Sequence, residues 1–132
     1  MLNQIIEDMK KVIATPDAPK AVGPYSQAIE VNGTLYISGQ IPVNPADGKV
    51  HEDIVAAAHQ SLKNIGAILK EAGMDYNNVV KTTVLLADIA DFKAVNEVYA
   101  EYFTGDKPAR ACYQAAALPL GVKVEIEAIA VK

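Results

Sequence analysis

The last stretch of the chain, VKVEIEAIAVK (Val122–Lys132), alternates between two sets of residues over its whole length. Successive side chains of a β-strand point to opposite faces of the sheet, so this alternation predicts a strand. One set is Val122, Val124, Ile126, Ala128 and Ala130, and the other is Lys123, Glu125, Glu127, Ile129 and Val131. The first set is apolar and suits a core, whereas the second mixes charged and apolar residues. The chain therefore contains a sheet with one buried face, which other elements must cover.

Two segments have the helical periodicity needed to cover that face. Residues 52–72 predict the longer helix, which ends before Gly73. Its apolar stripe is Ile54, Ala58, Leu62, Ile65 and Leu69. Residues 89–103, IADFKAVNEVYAEYF, predict a second helix with Asp88 as its N-cap. Its stripe is Phe92, Val95, Tyr99 and Tyr102.

The remaining segments are mostly β-rich. Residues 28–38 predict a hairpin around Asn32-Gly33, because this dipeptide tolerates the positive φ angles of a type I′ turn. Residues 78–87 and 109–116 predict two further strands, and LPLG at 118–121 predicts a turn. Residues 2–11 predict a short amphipathic helix, and residues 15–27 predict an irregular segment. The order β-β-α-β-α-β-β predicts a single α+β domain, with two helices packed on one face of one sheet. The open face carries enough apolar residues to favour oligomerisation.

Composition limits the classes of function. The chain has 132 residues, 51% hydrophobic and 21% charged residues, and a net charge of −4, which gives no basic footprint for nucleic acid. One cysteine forms no internal disulfide, and the chain begins without a signal-peptide pattern and contains no apolar run of about 20 residues. A cytoplasmic domain with no membrane segment is expected.

Common catalytic and cofactor motifs do not occur in the sequence. His51 and His59 have neither HExxH nor CxxC spacing around them, so no metal site is predicted, and His59 is expected at a surface or an interface. There is no GxGxxG and no phosphate loop, and Ser38 precedes a single glycine rather than lying in a nucleophile elbow. No cofactor is expected.

The strand at 109–116 carries the most informative side chains. Arg110, Cys112 and Gln114 share one face, and a short LPLG connection could fold the next strand back so that Glu125 or Glu127 approaches them. Arg110 then has two interpretations: a structural salt bridge with one of these carboxylates, or a two-point receptor for a ligand carboxylate. Cys112 likewise is either a packed small residue or a nucleophile.

Four segments resemble the RidA (YjgF) family of reactive intermediate deaminases, also called 2-iminobutanoate/2-iminopropanoate deaminases. They are GPYSQA (23–28), SGQIPVNPADG (38–48), KTTVLLADIADFKAVNEVY (81–99) and PARACYQAAALPLGVKVEIEAIAV (108–131). The resemblance runs from about Val12 to Val131. It implies a single domain over residues 12–132, preceded by an extension at residues 1–11.

The resemblance implies a chorismate-mutase-like fold, a homotrimer with sites in the clefts between subunits, and no cofactor. Arg110 would hold the carboxylate of a 2-imino or enamine acid, and Glu125 and the backbone carbonyl of Cys112 would position the attacking water. The residues that would line the pocket are Tyr25, Ser38, Gly39, Asn96 and Pro119. The implied reaction hydrolyses 2-aminoacrylate, 2-iminopropanoate or 2-iminobutanoate to a 2-keto acid and ammonia. The alternatives are a non-catalytic trimer that senses small carboxylates, and a chaperone or ribonuclease.

Overall fold

The computed structural model describes residues 2–132, apart from the side chains of Glu7 and Asp8. Its helices are α1 (Leu2–Met9), α2 (Ile54–Glu71) and α3 (Phe92–Tyr102). Its strands are β1 (Lys11–Ile13), β2 (Ala28–Val31), β3 (Thr34–Gln40), β4 (Val79–Leu86), β5 (Ala109–Gln114) and β6 (Val124–Val131). The predicted extension at residues 1–11 includes Met1, which lies outside the described residues, and that domain boundary stays a prediction.

The six strands form one mixed sheet in the order β1-β2-β3-β6-β4-β5. β4 and β5 run parallel, and every other neighbouring pair is antiparallel. The inward set of β6 is buried as the alternation predicts, and it packs against α2, which in turn packs against α3. The α+β class and the single sheet covered on one face by the two longer helices are therefore confirmed.

Local signals placed most of the elements correctly. Asp53 caps α2 by accepting a hydrogen bond from the backbone N–H of Ala56. The β2–β3 turn has Asn32 at φ 49° and Gly33 at φ 80°, as a type I′ turn requires. Asp88 does accept the predicted N-cap hydrogen bond, but the turn that it caps is a short 3-10 segment, and α3 begins only at Phe92.

Two predictions about strand pairing were incomplete or wrong. β1 was not predicted, because a three-residue strand carries too short a pattern to recognise. The expected return of β6 alongside β5 is wrong, because β4 lies between these two strands. The β4–α3–β5 crossover makes β4 and β5 parallel neighbours, which leaves β5 at the edge of the sheet.

The sheet face opposite α2 and α3, called the open face below, carries a row of apolar residues. Val12, Ile29, Tyr36 and Ile129 are paired in register across four strands. Val12 is 60% exposed and Tyr36 is 51% exposed, so this row has no cover in a single chain. Among residues 2–132, the helices lack the length and apolar character needed to cross a membrane.

Candidate active site

Arg110 lies on the exposed edge strand β5, where it pairs in register with the buried Thr82 of β4. Its side chain therefore leaves the sheet on the side of α3, and its Nη1 donates a 2.8 Å hydrogen bond to Oδ1 of Asn96. The guanidinium carbon lies 4.8 Å from the centre of the Tyr99 ring and 5.6 Å from that of Phe92. Among the described residues, the ion pairs do not include Arg110. The guanidinium is thus held on α3 without a carboxylate partner.

Cys112 shares this face of β5, and Val84 is its register partner. Its side chain is half-buried and packs against the core, and burial raises the pKa of the thiol while the nearby Arg110 charge acts in the opposite direction. A protonated, packed thiol fits the interpretation of Cys112 as a small core residue. Gln114, next on the same face, accepts a hydrogen bond from the backbone N–H of Ile89.

Glu125 lies on the other side of the sheet. Val124 and Ile126 on either side of it are buried in the core, so Glu125 and Glu127 point to the open face. The predicted approach of either carboxylate to Arg110 within one chain is therefore wrong. The cause is the strand order, because β4 separates β5 from β6 and the two sets of side chains lie on opposite faces. The salt-bridge interpretation of Arg110 has no support in the structure.

A bulge in β3 positions Glu125. Ile37 pairs with Ala128 but Gln40 pairs with Ile126, so β3 has one extra residue at Ser38-Gly39. A Cβ atom built on Gly39 would be 2.3 Å from Oε2 of Glu125, which shows that the carboxyl group occupies the space where any other residue would have its side chain.

Ser38, at the bulge in β3, holds the segment that contains Tyr25. Oγ of Ser38 donates a 2.6 Å hydrogen bond to the carbonyl oxygen of Ser26, one residue beyond the exposed Tyr25. The amide of the buried Gln27 holds the segment that precedes it, by accepting from the backbone N–H of Thr15 and donating to the carbonyls of Thr15, Ala18 and Pro19. Gln27 was not recognised from the sequence, because a lone glutamine in a polar loop gives no pattern.

The carboxyl group of Glu125 has an unusual environment. Partial burial raises its pKa above the ordinary value of a glutamic acid, and the neighbouring charge of Glu127 raises it further. At any given pH this carboxyl is therefore protonated to a larger extent than that of an ordinary glutamic acid, which suits a group that both donates and accepts a proton.

The predicted site residues therefore form two separate groups. Arg110, Asn96 and Cys112 belong to the side of α3, and Ser38, Gly39 and Glu125 to the open face. Pro119 lies at the start of the exposed 3-10 turn between β5 and β6. The open face also holds a pocket of about 410 Å³, and its lining includes Ser38, Lys81 and Glu127.

Among residues 2–132, no cluster of three or more His, Cys, Asp or Glu could hold a metal ion. His59 lies between α2 and α3, where its Nδ1 is 2.7 Å from the hydroxyl of Tyr102. The His59 side chain is partly exposed, which agrees with its expected place at a surface or an interface.

Comparison with known proteins identifies the class. Residues 15–132 match the family model described as Endoribonuclease L-PSP, so the chain belongs to this family. It is 61% identical over 125 residues to the 2-iminobutanoate/2-iminopropanoate deaminase of Mus musculus, a match that covers 94% of this chain and 93% of the relative.

Solved structures agree with this assignment. The YjgF gene product of E. coli matches with a TM-score of 0.90 and 48% identity over 92% of this chain and 98% of its own. E. coli TdcF with bound serine matches with a TM-score of 0.90 and 43% identity, over the same shares of the two chains. The resemblance to the YjgF family inferred from the sequence is confirmed.

Proposed function

We propose that this chain is a hydrolase that converts 2-imino and enamine acids, such as 2-iminobutanoate, 2-iminopropanoate and 2-aminoacrylate, to 2-keto acids and ammonia. The observation that carries the proposal is the Arg110 guanidinium, which is exposed and oriented by Asn96 and has no carboxylate partner among the described side chains. The names of close relatives support the same reaction.

In the proposed mechanism, Arg110 binds the substrate carboxylate through two parallel hydrogen bonds and so fixes the position of the imine carbon. A water molecule, placed by Glu125 and the backbone carbonyl of Cys112, adds to this carbon. Glu125 accepts a proton from the water and passes it to the imine nitrogen, which gives a carbinolamine. Glu125 then transfers the proton of the new hydroxyl to the amino group, which leaves as ammonia when the keto group forms. Tyr25, Ser38, Gly39, Asn96 and Pro119 line the pocket. The chain's own residues supply every proton transfer.

The two groups of residues require a second subunit. Arg110 and Glu125 lie on opposite sides of one sheet, so they act on one substrate only when the edge strand of one subunit approaches the open face of another. The uncovered row of Val12, Ile29, Tyr36 and Ile129 supports such packing. We propose a homotrimer in which each interface completes one site, because a head-to-tail interface closes into a ring.

Complementation tests this arrangement. Arg110→Ala alone should retain only a small part of the parent activity, and Glu125→Gln alone should be inactive. Random mixing of the two chains at equal amounts gives each interface an intact Arg110 half the time and an intact Glu125 half the time, so about one quarter of the parent activity should return. Sedimentation of the mixture checks that trimers form. Mixed trimers that are no more active than the two single variants would contradict the shared site.

Substitution of Arg110 tests the anchor itself. Loss of a charged hydrogen-bonding partner costs ~1.5–3 kcal/mol, which corresponds to a roughly 10- to 150-fold lower kcat/KM for Arg110→Ala. Arg110→Lys should recover little, because an ammonium group lacks the planar fork. The assay is 2-keto acid release from freshly generated 2-iminobutanoate, with thermal melting beside it. If small carboxylates raise the Tm of the parent protein but no keto acid is released, the chain is a sensor and the catalytic proposal is wrong.

We also propose the cytoplasm as the compartment, since the one free cysteine gives the fold no disulfide to form. Cell fractionation with an antibody against the chain tests this.

A further inference from the structure

The guanidinium of Arg110 is held by three side chains of one helix. Phe92, Asn96 and Tyr99 are spaced i, i+4 and i+7 on α3, so they form a single stripe that faces β5. Asn96 accepts the hydrogen bond from Nη1. The guanidinium carbon lies 4.8 Å from the centre of the Tyr99 ring and 5.6 Å from the centre of the Phe92 ring. Only Nη1 has a hydrogen-bond partner among the described residues, so the other donors of the fork remain for a ligand.

The ring closer to Arg110 is itself fixed. The hydroxyl of Tyr99 lies 2.7 Å from Oγ1 of Thr82, and both residues are buried. Thr82 is also the register partner of Arg110, so the strand that positions the Arg110 backbone also fixes the ring beneath its side chain. Tyr99 packs against Phe103 as well, with ring centres 4.5 Å apart. Burial raises the pKa of the Tyr99 hydroxyl, so the ring stays neutral at working pH.

We propose that Tyr99, fixed by Thr82, and Phe92 are positioning residues that pre-orient the Arg110 guanidinium for the substrate carboxylate. The inference rests on the proposed function of Arg110 as the anchor. An exposed arginine otherwise samples many rotamers, and binding must restrict them. A cation held over aromatic faces has lost part of this freedom before the ligand arrives, and Asn96 sets the rotation of the fork. The aromatic residues thus act through Arg110 and do not touch the substrate.

The test combines turnover with a double-mutant cycle. Tyr99→Leu should lower kcat/KM for 2-iminobutanoate about 10-fold. Tyr99→Phe keeps the ring and should restore activity to within about 2-fold of the parent. Tyr102→Leu is the matched control, because Tyr102 lies on the same helix but contacts Tyr76 and His59 instead. Where Tyr99→Leu does not fold, Phe92→Leu replaces it, since Phe92 is 39% exposed and tolerates truncation.

The cycle uses 2-oxobutanoate, the stable product, as the probe and measures its Kd by NMR titration. Tyr99→Leu should weaken binding in the parent background and have no further effect in the Arg110→Ala background, because its action passes through the guanidinium. If Tyr99→Leu weakens 2-oxobutanoate binding equally in both backgrounds, this inference is overturned and the proposed function stays intact. The same holds if Tyr99→Leu binds and turns over like the parent while Arg110→Ala is impaired. An Arg110→Ala variant that binds 2-oxobutanoate as the parent does overturns the anchor in the proposed function and this inference with it.

Discussion

Gly39→Ala should separate catalysis from stability. The new Cβ would be 2.3 Å from Oε2, 2.8 Å from Cδ and 3.1 Å from Cγ of Glu125, and carbon–oxygen contacts below about 3.0 Å are strongly repulsive. The carboxyl oxygen must therefore move by at least about 0.7 Å, the difference between 3.0 and 2.3 Å. Because this oxygen is at the end of a side chain that can rotate, the free energy of unfolding should fall by only ~1 kcal/mol.

The catalytic effect should be larger. A displacement of about 1 Å of a reacting group costs on the order of 100-fold in rate, so we expect kcat/KM for 2-iminobutanoate to fall ~10- to 100-fold. The assay measures keto acid release per folded chain, with thermal melting on the same sample. Gly105→Ala is the control, since its Cβ would meet only Oδ1 of Asn77 at 3.3 Å. A Gly39→Ala variant that melts far below the parent yet turns over normally per folded chain would refute the reasoning.

Two further predictions concern Cys112 and Glu125, two residues of the proposed site. Cys112→Ala should keep activity within about 3-fold and stability within ~1 kcal/mol, because the role proposed for this position belongs to its backbone carbonyl; an alanine variant that folds but is as inactive as Arg110→Ala would show that the thiol reacts. Glu125→Gln should be inactive, and its Tm should exceed that of the parent by a growing margin as the pH rises above about 4.3, the ordinary pKa of a glutamic acid. The pKa of Glu125 is raised in the folded chain, so the folded chain binds this proton more tightly than the unfolded chain does. The stability that Glu125 contributes through this proton is complete below the ordinary pKa of about 4.3 and is lost as the pH rises through the raised pKa, whereas glutamine does not ionise. Melting curves from pH 4 to pH 8 test this, and a gain in Tm that is equal at every pH would exclude the ionisation of Glu125 as its cause.

The helices and most strands could be predicted because their signals are local. The alternation of β6, the stripe of α2 and the Asn32-Gly33 turn each specify an element within a few residues. β1 gave no such signal, because three residues cannot establish a period. The fold of the RidA family was recognised from four segments, and the matched family model and solved structures confirm it.

Pairing between distant strands could not be predicted in the same way. The sequence places Arg110 and Glu125 fifteen positions apart across a short turn, and adjacent pairing of their strands is the simplest arrangement. The crossover through α3 instead inserts β4 between them, which depends on how the whole chain packs. The aromatic contacts of Arg110 were missed for the same reason, since Phe92 and Tyr99 were identified only as parts of an apolar stripe.

The sequence alone determined which residues are candidates for the chemistry and which faces of the elements are apolar, because residue type and periodicity are properties of short segments. Only the tertiary structure decided which of those residues can meet. It placed Arg110 on the side of α3 and Glu125 over Gly39 on the open face, since strand order and the bulge in β3 arise from contacts between segments far apart in the chain.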